Sequence, residues 1–169
     1  MRHIHSFGRP VLAVAPSSTG FGYALFEGGD RLIDWGARRV AGNKNAQCVL
    51  HVATLIQLYR PRVILLEDPH ARGARRWPRI KTLLDMLQAL AKEKRIRCIR
   101  YARVRVAGHF NGPKRPTKER VAREIVRLYP ELGPFLPPKR RIWETEDPRL
   151  AIFVAVSYAL VFLAEEASH

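Results

Sequence analysis

Glu67 and Asp68 follow directly on the apolar run Val63-Ile-Leu-Leu66, so two carboxylates stand where a buried strand must end. A carboxylate in that place either pairs with an arginine of its own chain or serves a functional site. Asp147 precedes Pro148 at the head of a long apolar stretch, with Glu144 three residues before it. Around these few acids lie three basic sets. The first is Arg72, Arg75, Arg76, Arg79 and Lys81; the second Lys114, Arg115, Lys118, Arg120 and Arg123; the third Lys139-Arg140-Arg141. Guanidinium and ammonium groups grouped near a loop or a helix start suit phosphate. The third set, in a loop, also reads as solubilising. Trp77, between Arg76 and Pro78, offers a ring for a base to stack on, and His70 is a second, blander candidate. The turn Pro16-Ser-Ser-Thr-Gly20 can bond a phosphate, although a tight hairpin needs no ligand.

Composition points the same way. In 169 residues, 30 Lys and Arg stand against 15 Asp and Glu, a formal charge of +15. Such a field attracts polyanions, of which nucleic acid is the commonest. Hydrophobic residues make up 47% of the chain, which excludes a disordered basic tail. Cys48 and Cys98 form no CxxC, so neither a disulfide framework nor a zinc site is expected. Val11–Ala15 is too short for a signal segment, and the run 150–164 is short of a membrane span and interrupted by Ser157 and Tyr158. The expectation is a cytoplasmic protein of one domain, residues 1–169, with a basic lead-in at 1–10 and a tail at 165–169.

The elements that must position these groups can be read in order. Strands are expected at 11–15, 21–26 and 31–40, joined by the turn Glu27-Gly-Gly-Asp30. Asn43 caps a helix to Tyr59, and Arg60-Pro61 ends it. The strand at 63–66 runs into Glu67, and a basic loop follows. A helix from about 79 to 94 buries Ile80, Leu83, Leu84, Leu87 and Leu90; a strand at 95–101 comes next. A short helix fits 103–110, Asn111-Gly-Pro113 breaks the chain, and Thr117 caps a helix through Leu128. The segment 130–138 reads as a proline-rich surface loop. Asp147 as N-cap with Pro148 at N1 opens the last helix, to about Ala164. Trp35 and Trp143 read as core or loop anchors. The order predicts an α/β fold: a mixed five-stranded sheet, an antiparallel meander of three strands and then alternating helices and strands, with helices on both faces.

That order and its motifs resemble the RNase H-like superfamily, and within it the RuvC-type Holliday junction resolvases. Four segments carry the likeness: Val11-Leu-Ala-Val-Ala-Pro-Ser-Ser-Thr-Gly-Phe-Gly-Tyr-Ala-Leu25, Arg60-Pro-Arg-Val-Ile-Leu-Leu-Glu67, Thr117-Lys-Glu119, and Asp147 through Ala159. The resemblance implies four acids: one at the end of the first strand, one at the end of the fourth, and two on the last helix one turn apart. In that family they hold two Mg²⁺ ions that activate water and stabilise the leaving oxygen. Here the first position is Ala15, the second Glu67, the third Asp147, and the fourth, at i+3, Leu150. Glu67 and Asp147 are thus the retained catalytic and metal positions. Glu144 and Asp147 form another i,i+3 pair, but Pro148 places the helix start after it. Asp68 or Glu146 can substitute in part, and neither restores the acid at position 15.

The resemblance therefore implies a binder of nucleic acid, branched or structured DNA foremost, that is catalytically silent and holds Mg²⁺ weakly or not at all. Its contacts are expected at His70, Arg72, Arg75, Arg76, Trp77, Arg79, Lys114, Arg115, Lys118 and Arg120. Two alternatives stand beside it. One is a Mg²⁺-dependent, structure-selective endonuclease whose acid was replaced by Ala15 to trap an inactive form. The other is a basic scaffold subunit of a larger complex. The family also implies a homodimer, for which the apolar residues from Leu83 to Leu90 are a candidate face, as they are for the core.

Overall fold

A computed structural model describes residues 8–72, 74, 76–110, 117–141 and 143–169. Arg75, Lys114, Arg115 and the break at 111–113 lie outside the described residues, as does most of the basic lead-in.

Three strands open the chain: β1 (Val11–Pro16), β2 (Gly20–Glu27) and β3 (Arg31–Arg39). The β2–β3 turn carries Gly28 and Gly29 at φ 60° and 91°, the left-handed backbone that lets a short hairpin follow the strand twist. Helix α1 (Lys44–Tyr59) begins where the Asn43 side chain accepts from the Ala46 amide at 3.1 Å. Then come β4 (Val63–Glu67), α2 (Pro78–Glu93) and β5 (Arg97–Tyr101). Helices α3 (Arg103–His109), α4 (Lys118–Leu128) and α5 (Leu150–Ala167) complete the chain. The sheet order is β3-β2-β1-β4-β5, antiparallel through the meander and parallel from β1 across β4 to β5. This is the mixed five-stranded sheet that the element order predicts.

Strand alternation divides the core in two. Val11, Ala13, Ala15, Val63 and Leu65 face α4 and α5, whereas Leu12, Val14, Ile64 and Leu66 face α1 and α2. On the second face Leu83, Leu84, Leu87 and Leu90 are buried, so the apolar side of α2 is core and not a surface for a partner copy. Helix α5 lies almost on the sheet. A Cβ built on Gly22 would come within 2.4 Å of the Ala151 backbone, so only glycine admits this approach. By length and composition α5 is apolar enough to cross a membrane, yet most of it is buried against β1, β2 and α4.

Four local expectations are corrected. Strand β5 starts at Arg97 and not at 95, because Arg95 takes a left-handed conformation (φ 57°) beyond the end of α2. The segment 130–138 is not simply a surface loop. Residues Pro130–Phe135 form a 3₁₀ turn that buries Leu132 and sets Phe135 edge-on to Trp35 at 6.0 Å. Trp143 is no anchor, being 77% exposed with Arg141 over its ring. Finally, α5 starts at Leu150 and runs to Ala167, so Asp147 is not its N-cap. The Asp147 carboxylate instead accepts from the Arg149 amide at 2.9 Å, closing a turn that ends before the helix.

Candidate functional site

The parallel strands β1 and β4 end side by side. Their register pairs Ala13 with Leu65, and the same offset brings Ala15 abreast of Glu67 on the α5 face. Ala15 is 1% exposed, and its methyl group belongs to the core beneath the cleft. Glu67, also 1% exposed, is the acid that the strand end delivers to the cleft floor.

That acid is already occupied. Arg76 Nε donates to Glu67 Oε2 at 2.6 Å, and Arg103 Nε lies 3.5 Å from Oε1. Arg76 also reaches Pro16 O, at the end of β1, through Nη2 at 3.5 Å. Glu67 is thus held between two guanidinium groups, one from the β4–α2 loop and one from the first residue of α3. Tyr158, on α5, faces the same cleft; burial pushes its hydroxyl pKa up, and the Glu67 charge adds to the effect.

The cleft, about 480 Å³, lies between the β1–β2 turn, the β4 end and the start of α5. Lys44, Arg76, Arg79, Arg103 and Lys118 line it against Glu67, Glu146 and Asp147. Each of these acids has a cation of its own. Lys118 Nζ contacts both Glu146 oxygens at 2.9 and 3.3 Å, and Arg149 contacts Asp147 at 2.7 Å. The hydrogen bond from Arg149 holds the Asp147 carboxyl below the usual carboxylate range. The turn itself is braced by cations. Arg79 donates to Ser17 O and Ser18 O at 3.2 and 3.4 Å, and Lys44 to Ser18 O at 2.9 Å.

The α5 side of the cleft departs from the expected acid spacing. Leu150 is 3% exposed and packs in the core; the residues that face Glu67 are Ala151, Val154 and Tyr158, one helical stripe without a carboxylate. Asp68 turns away, its side chain accepting from the His70 amide at 3.0 Å. Among the described residues no group of three or more His, Cys, Asp or Glu converges as a metal site. A pair of divalent cations needs several free oxygen donors. The donors here are one buried glutamate, already bridged by arginines, and two acids each paired elsewhere, so the residues do not fit such a metal pair.

Of the basic and aromatic residues singled out in the sequence, Arg76, Trp77, Arg79 and Lys118 meet in this cleft, with Trp77 81% exposed. Arg72 lines an adjoining, more apolar cleft that shares Arg103, Lys118, Val154 and Tyr158 with the first. His70 is elsewhere: its Nε2 lies 3.2 Å from Asp85 on α2. Arg120 lies in the first turn of α4 and lines neither cleft. Lys44 and Arg103 had no mark in the sequence. Each stands at a helix start, and only the pairing of β1, β4 and β5 brings them to one end of the sheet. On the other side of Asp147 a third cleft brings Arg39, Arg140 and Arg149 together with Glu119, Glu144 and Glu146, so its charges are mixed.

No protein-family model matches the sequence, and no curated protein matches it in sequence. Solved structures do match in fold. Thermus thermophilus RuvC in complex with a Holliday junction substrate superposes with a TM-score of 0.63 at 17% identity, over 95% of this chain and 98% of that one. A second Thermus thermophilus RuvC structure gives 0.61 at 18% identity, over 94% and 96%. The yeast mitochondrial Holliday junction resolvase Ydc2 gives 0.60 at 16%, over 96% of this chain and 82% of its own. With its meander, parallel crossover strands and closing helix in the same order over nearly its whole length, the chain has the RuvC-type, RNase H-like fold.

Proposed function

We propose that this protein binds nucleic acid across the cleft at the β1 and β4 ends, branched or structured DNA foremost, and leaves the strand uncut. The observation that carries this is the state of Glu67. The single acid that the sheet delivers to the cleft floor is clamped by Arg76 and Arg103, in a cleft whose cations outnumber its acids. Lys44, Arg79 and Arg103 present positive charge to an approaching phosphate, and exposed Trp77 offers a face for stacking. The charge of +15 adds long-range attraction. Solved structures of the same fold include one described with a Holliday junction substrate, which supports a branched ligand.

Cleavage of a phosphodiester by two cations needs several carboxylates to hold them, which the resemblance to RuvC-type resolvases implies at both strand ends and on the last helix. Here Ala15, Ala151 and Val154 supply none. An enzyme disabled by one replacement at position 15 would keep acids on the α5 stripe, so the apolar stripe favours a binder. The direct test is to mix the protein at physiological salt with Mg²⁺ and a four-way junction, duplex DNA, single-stranded DNA and structured RNA, scoring binding and cleavage together. Tight, salt-dependent binding of the junction without a cut is expected, with the log–log salt slope falling by about one when Arg103 is replaced by alanine. A cut strand would overturn the silent reading. Weak binding to all four would remove nucleic acid as the ligand and favour an acidic protein partner.

A further inference from the structure

We propose that Arg76 is a built-in replacement for a divalent cation, so that the cleft takes a backbone phosphodiester directly and without metal. The proposal rests on the reading of this cleft as a nucleic-acid site and names what binds at its floor. Arg76 stands where oxygen atoms from two strand ends converge. Its Nε is 2.6 Å from Glu67 Oε2, and its Nη2 is 3.5 Å from Pro16 O. A carboxylate and a carbonyl facing one point are what a hard cation would bridge. A guanidinium does the same work with a permanent charge, and no chelator removes it.

The local charge balance names the ligand. Arg76 and Arg103 both contact Glu67, so two cations on one carboxylate leave one positive charge at the cleft floor. A phosphodiester brings one negative charge. Arg103, half-exposed and at the longer distance of 3.5 Å, holds Glu67 loosely and keeps donors for a phosphate oxygen. Arg76, 18% exposed, is the fixed member. Lys44 and Arg79, braced on the Ser17-Ser18 carbonyls, continue the row of cations along the β1–β2 turn. The ligand class is therefore a diester of a nucleic-acid backbone, held by guanidinium groups in the place where relatives of this fold are expected to use metal.

Two measurements on the full-length protein test this. The first is thermal melting in EDTA and in Mn²⁺, without nucleic acid. The second is the Kd for a four-way junction in EDTA and in Mg²⁺ at equal ionic strength. The wild-type protein should melt at the same temperature in both buffers and bind the junction equally well in both. Arg76→Ser, which leaves Glu67 exposed to a hydrated ion, should bind about tenfold more weakly in EDTA, as the loss of one charge-assisted contact implies. That variant alone should melt higher in Mn²⁺. Where it does not fold, Arg76→Lys keeps the charge without the planar fork and should bind more weakly while remaining indifferent to metal. A wild-type protein stabilised by Mn²⁺, or one that releases the junction in EDTA, overturns the proposal. Absence of nucleic-acid binding in either buffer overturns the reading it rests on, and the Mn²⁺ melts still decide the part played by Arg76.

Discussion

Two carboxylates lie on opposite faces of the same sheet and are held by different chemistry. Asp34, on β3 beside α1, accepts from two neutral hydroxyls: Tyr59 at 2.6 Å and Tyr23 at 3.3 Å. Glu67, on β4 beside α5, is held by two guanidinium groups. The first arrangement ties β2, β3 and α1 together through neutral hydroxyl donors, with the Arg38 side chain beside the Tyr23 hydroxyl. The second cancels the acid and leaves a positive remainder at the mouth of a cleft. The same functional group is thus a structural hub in one place and the anchor of an anion-binding surface in the other. Glu67 is the more deeply buried of the two, and the charge of the donor sets their roles apart.

The largest expected effect is at Glu67. Removing one partner of a buried ion pair strands the other charge and costs about 3–5 kcal/mol. Glu67→Ala and Arg76→Ala should each lower the unfolding free energy by about that much in urea titrations, Glu67→Ala being the milder because water reaches the arginine that it strands. Glu67→Gln combined with Arg76→Met removes both charges and should recover most of the loss. Two mild single variants would mean that the pair is not structural, and the contrast with Asp34 would collapse.

How far the molecule was legible in its residues follows the same line. Runs such as Val63–Leu66 and the cap Asn43 announce themselves, because burial and capping act over a few neighbouring residues. Glu67 at a strand end was equally visible, and pairing with an arginine was one of its two plain readings. What the chain order hides is partnership at a distance. Arg76 is nine residues from Glu67, but Arg103 is far beyond it, and their meeting depends on β5 lying next to β4. The last helix misleads for a local reason. Asp147-Pro148 has the residues of a helix start, yet Asp147 binds Arg149, so the helix opens at Leu150 and presents Ala151, Val154 and Tyr158 to the cleft. The i+3 spacing from Asp147 falls on Leu150, which packs in the core, and the cleft-facing stripe is one residue on, at Ala151.

A smaller effect is expected at Asp34. Its donors are neutral, so its removal leaves two partly buried hydroxyls and the Trp35 amide without this acceptor, at a cost of about 1–3 kcal/mol. Asp34→Ala should fall in that range by urea unfolding, and Asp34→Asn, which keeps an acceptor oxygen, should cost less. An Asp34→Asn variant as unstable as Asp34→Ala would show that the charge of Asp34 matters more than its oxygen atoms. The two carboxylates would then be less different than their donors imply.

The smallest effect separates the two sites by pH. The hydrogen bond to Asp34, with burial second, raises the Tyr59 hydroxyl from its ordinary value of 10.0 to about 12. The folded protein therefore holds this proton more tightly than the unfolded chain does. Its contribution is complete below pH 10 and is lost as pH rises towards about 12. The arginines at Glu67 keep their charge throughout that range, so the cleft pair does not respond. All five tyrosines are shifted upward, and the share of Tyr59 is isolated by difference. Tyr59→Phe should lose on the order of 1 kcal/mol at neutral pH, the value of one hydrogen bond. Its deficit against the wild-type protein should then shrink as both are carried from pH 10 to about 12. A deficit that stays constant over that window would mean that Asp34 does not hold the Tyr59 proton in solution, and the neutral-donor side of the comparison would lose its physical basis.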